Sequence, residues 1–73
     1  MPKLVIKPEK LVKILTKYYG FYPDHQSGSH LILLHEDGNM AVVPMHGTEL
    51  RQGTLHSILK QANLTKEDIL KYA

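Results

Sequence analysis

Cysteine is absent from this 73-residue sequence, which excludes disulfides, thiol catalysis and cysteine-based zinc sites. Its absence fits a reducing compartment, and we expect a cytoplasmic protein. No apolar run approaches the ~18–20 residues that span a bilayer, and the first residues lack an uninterrupted apolar stretch of the secretory type. A chain this short has room for one hydrophobic core, so we expect a single domain over residues 1–73.

Lysine and arginine are missing from residues 21–50, which carry four acidic residues. Residues 1–20 carry five lysines and one acid, and residues 51–73 carry three lysines, Arg51 and two acids. This asymmetry is typical of a protein whose flanking segments contact a polyanion. Lysines on ordinary solvated helix faces would give the same pattern, and charge alone favours that second interpretation.

The spacing of apolar residues predicts helices at both ends of the sequence. A first helix is expected over about Pro8–Tyr19, with proline at its first position and Gly20 ending it. A second helix is expected over Thr54–Asn63, with its first residue as the N-cap. A short last helix is expected over about Thr65–Tyr72, where Asp68 completes a capping box.

Between these helices the pattern predicts three strands. Phe21–Gln26 is expected as a short edge strand, because Pro23 interrupts it. His30–His35 is the central strand, followed by the hairpin turn Glu36–Asn39 and a third strand over Met40–Pro44. The order α-β-β-β-α-α predicts an α+β fold, with a three-stranded antiparallel sheet and helices on one face.

The central strand is apolar on both faces. Alternation places His30, Ile32 and Leu34 on one face and the residues between them on the other. Because the helices can cover only one face, either the last helix wraps round the sheet or an apolar patch remains for a partner.

Three of the five histidines lie in the stretch HQSGSHLILLHEDGN, residues 25–39. No metal site is predicted, because His30 and His35 should point to opposite faces of their strand and no H-E-x-x-H pattern occurs. Ser29 and His30 are adjacent and should also face apart, which disfavours a Ser–His nucleophile. By this reasoning a lone strand histidine is more often an ordinary polar residue with a satisfied hydrogen bond than a catalyst.

Arg51 precedes a helix N-terminus, where free N–H groups and the helix dipole favour an anion. A plain helix cap is the alternative, and this pattern alone favours it.

Several short motifs become informative when they are taken together. They are the Gly20-Phe21 exit from the first helix, Gly28-Ser29-His30, Pro44-x-His46, Gly53-Thr54-Leu55 and the segment 58–62. In this order and spacing, over nearly the whole chain, the sequence closely resembles the HicA toxin family, also called YcfA-like.

The resemblance implies a fold similar to the double-stranded RNA-binding domain. It also implies a ribosome-independent mRNA endonuclease that is inhibited by a HicB antitoxin. The histidine of the family's Gly-Ser-His segment is held to be catalytic, and it corresponds to His30. At His25 the sequence departs from the family, which commonly has a basic residue before the glutamine.

RNA carries its own nucleophile, the 2′-hydroxyl, so such an enzyme needs no metal or cofactor. Neutral imidazole, with an unperturbed pKa of ~6.5, is a suitable general base. We therefore expect His30 to be the base and the products to carry a 2′,3′-cyclic phosphate. His46 and His25 are candidates for the general acid, and Gly28 and Ser29 are possible auxiliary residues.

RNA-binding folds of this type contact phosphate and 2′-hydroxyl groups through their helices. Lys10, Lys13 and Lys17 of the first helix are therefore expected to bind the RNA backbone, together with Arg51. The acidic middle segment argues against tight RNA binding by the sheet. The alternative function is a non-catalytic RNA- or protein-binding module on the same fold.

Overall fold

A computed structural model describes residues 3–73. The elements are α1 (Pro8–Tyr18), β1 (Tyr22–Ser27), β2 (His30–Leu34), β3 (Met40–Pro44), α2 (Gln52–Ala62) and α3 (Lys66–Leu70). The strands form one antiparallel sheet in the order β1-β2-β3. The predicted α+β fold is confirmed. Over the described residues, no helix is both long enough and apolar enough to cross a membrane.

Local signals set most of the helix ends. Pro8 opens α1, and Gly20 follows it with a φ of 75°, in the left-handed region that glycine adopts readily. Asn63 ends α2 in the same region, with a φ of 60°. Thr65 and Asp68 form the predicted capping box, each side chain bonding the other residue's backbone N–H. α3 ends at Leu70, two residues before the predicted end.

The predicted cap of α2 is wrong. The helix begins at Gln52 with Arg51 as N-cap, so Thr54 lies inside the first turn. The cause is tertiary: the Leu50 N–H donates to the Ile6 carbonyl at 2.9 Å, and the Gln52 side chain donates to a carbonyl of the same N-terminal segment at 2.7 Å. These bonds fix the backbone at residues 50–52, so the helix starts at Gln52, two residues before Thr54.

Three strand ends also differ by one residue from the predicted positions, one of them the end of β1, which runs to Ser27 and not to Gln26. Phe21 belongs to the helix exit and not to β1, because its ring is buried and its N–H donates to the Leu15 carbonyl at 3.1 Å. His35 belongs to the hairpin turn and not to β2, because its N–H donates to the Asn39 carbonyl at 2.9 Å.

The hydrophobic core lies between the helices and one face of the sheet. Leu33, Ala41 and Val43 supply the sheet's side of it and are fully buried. The helices supply Leu11, Leu15, Leu55 and Ile69, among others.

The opposite face of the sheet, here called the outer face, remains uncovered. Alternation directs His30, Ile32 and Leu34 to it, and none of the three is buried. Met40 is 41% exposed beside Leu34. Ile69 of α3 joins the core on the helix side, so α3 does not wrap round the sheet. Of the two possibilities open from the sequence, an exposed apolar patch is the one observed.

Candidate functional site

A tight hairpin turn places His30 at one end of the sheet. Ser27 pairs with His30 across β1 and β2, which leaves Gly28 and Ser29 as the two turn residues. Gly28 has a φ of 60°, as the first position of a type II′ hairpin turn requires. His30 is therefore the first residue of β2, exposed on the outer face with Pro44 opposite it on β3.

The turn also fixes the loop that follows β3. The Ser29 carbonyl accepts a hydrogen bond from the Met45 N–H at 2.6 Å. This bond holds the start of the loop at the same end of the sheet as His30. His46, the next residue along the loop, is thereby brought toward His30.

A groove of about 730 Å³ opens between this end of the sheet, the loop and α2. It is lined by His30, Val42, Pro44, residues 46–51, Thr54 and Gln61. Three of the residues singled out in the sequence, His30, His46 and Arg51, therefore border one cavity.

The groove combines several kinds of polar group. His30 and His46 supply two imidazoles, Arg51 a permanent positive charge and Glu49 a carboxylate. Arg51 is also the N-cap of α2. Its guanidinium only donates hydrogen bonds, so it does not cap the first amides of the helix. Those amides and the guanidinium together favour an anion at this end of the groove.

Gln61, Thr54 and Glu49 border the groove but were not identified from the sequence. The Gln61 Oε1 accepts a bond from the Val42 N–H at 3.4 Å, which holds this side chain of α2 over the edge of β3. The only sequence signal for Gln61 and Thr54 is their place within segments that carry the family resemblance.

His25 lies beside His30 but outside the groove. On β1 it is opposite Ile32, so it shares the outer face and is diagonal to His30, a separation of roughly 7–8 Å. Its Nδ1 is 2.7 Å from Oδ2 of Asp24, the preceding residue. The structure therefore couples His25 to a carboxylate and places His46, not His25, in the cavity with His30.

The lysines of α1 lie elsewhere. Lys10, Lys13 and Lys17 are exposed on the helix, which packs against the core face of the sheet, opposite the outer face. The described residues that line the groove include none of the three.

His35 has structural contacts. Its ring packs against Phe21 with centroids 5.2 Å apart, and its Nδ1 lies 2.8 Å from the Asp37 carboxylate. The pKa of Asp37 is lowered, first by the Asn39 amide that donates to its carboxylate and also by His35. A Cβ atom at Gly20 would lie 2.9 Å from the His35 Nε2, so glycine is needed there for space as well as for φ.

No group of three or more histidine, aspartate or glutamate side chains within residues 3–73 is arranged to hold a metal ion.

Comparison with known families gives a match. A family model described as "HicA toxin of bacterial toxin-antitoxin" matches residues 8–64. The chain belongs to the HicA toxin family. It is therefore the toxin of a toxin–antitoxin pair, with an antitoxin as its partner. The HicA match includes every residue that lines the groove. A search of curated proteins gave no match to the chain.

Proposed function

We propose that this HicA-family toxin is a metal-independent endoribonuclease that cleaves mRNA in the groove beside His30. A HicB-like antitoxin in the cytoplasm would inhibit it. The observation that supports this proposal is the groove itself, where His30, His46 and Arg51 at the start of α2 border the same cavity. Two imidazoles and an anion site are a set of groups that can cleave RNA through its own 2′-hydroxyl.

In the first step, neutral His30 removes the proton from a 2′-hydroxyl of the bound RNA. The freed 2′-oxygen attacks the adjacent phosphorus, and the bond from phosphorus to the 5′-oxygen breaks. The products are a 2′,3′-cyclic phosphate and a 5′-hydroxyl end. His30 is suited to this role because it is exposed at the strand end and open to a large substrate.

Two further groups complete the reaction. Protonated His46 donates a proton to the departing 5′-oxygen, since it is the other imidazole that borders the groove. Arg51 and the first amides of α2 bind the phosphate and stabilise the charge that develops on its oxygens.

His46→Ala should lower the rate of RNA cleavage by about 100-fold, because a positioned general acid typically contributes that much or more. The matched control is His56→Ala, since His56 is an exposed histidine of α2 outside this groove. Cleavage of a labelled RNA is followed with both proteins. Equal rates for the two variants would remove His46 from the mechanism.

A non-catalytic binding module is the second candidate function. The outer face favours it, because Met40 is exposed and Ile32, Leu34 and Val42 are only partly buried. Such a face suits a protein partner. A purified toxin that binds RNA or antitoxin but never cleaves RNA would support this candidate.

A further inference from the structure

Three tyrosines form an aromatic cluster where the end of α1 meets the residues that follow α3. The rings of Tyr18 and Tyr72 stack with centroids 3.8 Å apart and an interplanar angle of 8°. Tyr19 packs edge-on against Tyr72 at 5.9 Å. Although they are stacked, Tyr18 is 46% exposed and Tyr72 is 38% exposed. The cluster thus presents aromatic surface to solvent.

The cluster is held in place from both sides. The Tyr19 hydroxyl donates to the Asp68 carbonyl at 2.6 Å. Burial and the nearby Asp68 carboxylate raise the pKa of Tyr19, so the hydroxyl keeps its proton and remains a donor. The capping box of Thr65 and Asp68 fixes the start of α3. A ligand therefore meets an aromatic surface that is already ordered, which lowers the entropy lost on binding.

Positive charge surrounds the exposed ring. The Lys17 ammonium lies over the Tyr18 ring, 5.4 Å from its centroid. Lys13 is exposed one turn earlier on α1, and Lys71 is exposed beside Tyr72. Glu67 and Asp68 are the acids of α3, so these three lysines outnumber the two acids around the cluster. Aromatic rings beside lysines are the combination that binds single-stranded nucleic acid, through base stacking and phosphate contacts.

We propose that Tyr18, backed by Tyr72, stacks an unpaired base of single-stranded RNA while Lys17 and Lys13 contact the flanking phosphates. A centroid distance of 3.8 Å is already within the ~3.5–4.0 Å contact range of carbon atoms. A base therefore cannot enter between the two rings and stacks on the outer side of Tyr18, where it displaces the Lys17 ammonium that lies over the ring. The inference rests on the proposed function only in taking the RNA to be the toxin's substrate.

This second site also gives lysines of α1 a role in binding RNA phosphates, which the groove does not give them because they do not line it. A chain whose greatest dimension is 32 Å can be spanned by one RNA strand of modest length. The strand would then be cut beside His30 and held at the tyrosine cluster. Binding at the cluster adds affinity for long substrates without taking part in the chemistry.

The test measures binding of a fluorescent, unstructured RNA to full-length protein that carries His30→Ala, so that cleavage does not interfere. In this background Tyr18→Leu should weaken binding about 10-fold, the scale of one lost base stack. Tyr18→Phe should bind as well as the parent, because the ring is retained. Tyr22→Leu is the matched control, since Tyr22 is a tyrosine that is 49% exposed on β1, and it should not change the affinity.

Unchanged RNA affinity for Tyr18→Leu would overturn the inference. So would equal losses for the Leu and Phe variants, because stacking does not use the hydroxyl. If Tyr18→Leu instead weakened only the antitoxin complex, the cluster would be a protein-docking surface and the inference would be wrong. If RNA bound through Tyr18 but the unmodified toxin never cleaved it, the proposed function would fail and this site would stand.

Discussion

Replacement of His30 by alanine is expected to lower RNA cleavage by about 100- to 10,000-fold, the usual contribution of a positioned general base. The fold should not change, because His30 is exposed at the start of β2. We expect the free energy of unfolding to stay within about 0.5 kcal/mol of the parent value. Cleavage of a labelled RNA and urea unfolding of the same samples measure both effects.

The control for this prediction is His25→Ala. His25 shares the outer face with His30 but lies outside the groove, on the neighbouring strand. It should lower cleavage far less than His30→Ala does. Cleavage by the His30 variant at the native rate would show that His30 is not the base. A larger loss of cleavage in the His25 variant than in the His30 variant would assign the role of base to His25.

Leu33→Ala is expected to leave the protein largely unfolded. Leu33 is fully buried in the central strand, against the helices, and removing such a side chain destabilises a protein by about 2–5 kcal/mol. Single cores in domains of this size rarely supply more than about 3–5 kcal/mol in total. Loss of that one side chain therefore removes most or all of the free energy of unfolding, which urea or thermal unfolding can measure.

The adjacent leucine provides the matched control. Leu34 points to the outer face and is only partly buried, so Leu34→Ala should lower the free energy of unfolding by about 1 kcal/mol. The two variants differ only in which side of the sheet loses three carbon atoms. Equal losses in the two variants would contradict the assignment of the core face and the outer face.

The sequence predicted the fold well where a short stretch of residues decides the structure. Some residues determine only the conformation of the backbone next to them, so their positions indicate helix ends directly. They are Pro8, Gly20, Asn63 and the Thr65–Asp68 pair. The N-cap of α2 was predicted incorrectly because distant residues decide it. The carbonyl of Ile6 fixes the chain just before the helix, and no local pattern carries that information.

The distinction between local and distant determinants also applies to the candidate site. The family resemblance pointed to His30, but its spacing could not say whether His46 or His25 would share a cavity with it. That depends on the bond between Ser29 and Met45, which joins a turn to a loop across the sheet. Gln61 reaches the groove only because α2 packs along β3. The resemblance to an RNA-binding fold likewise indicated the lysines of α1 as RNA contacts, without showing that they lie across the sheet from His30.

The chemical ends of the RNA products test the central claim most directly, namely that His30 activates the RNA's own 2′-hydroxyl without a metal. Purified toxin is incubated with an RNA and with DNA of the same sequence, both in the presence of EDTA. The expected result is cleavage of the RNA alone, with 2′,3′-cyclic phosphate and 5′-hydroxyl ends. Products with 3′-hydroxyl and 5′-phosphate ends, cleavage of the DNA, or loss of all cleavage in EDTA would contradict it.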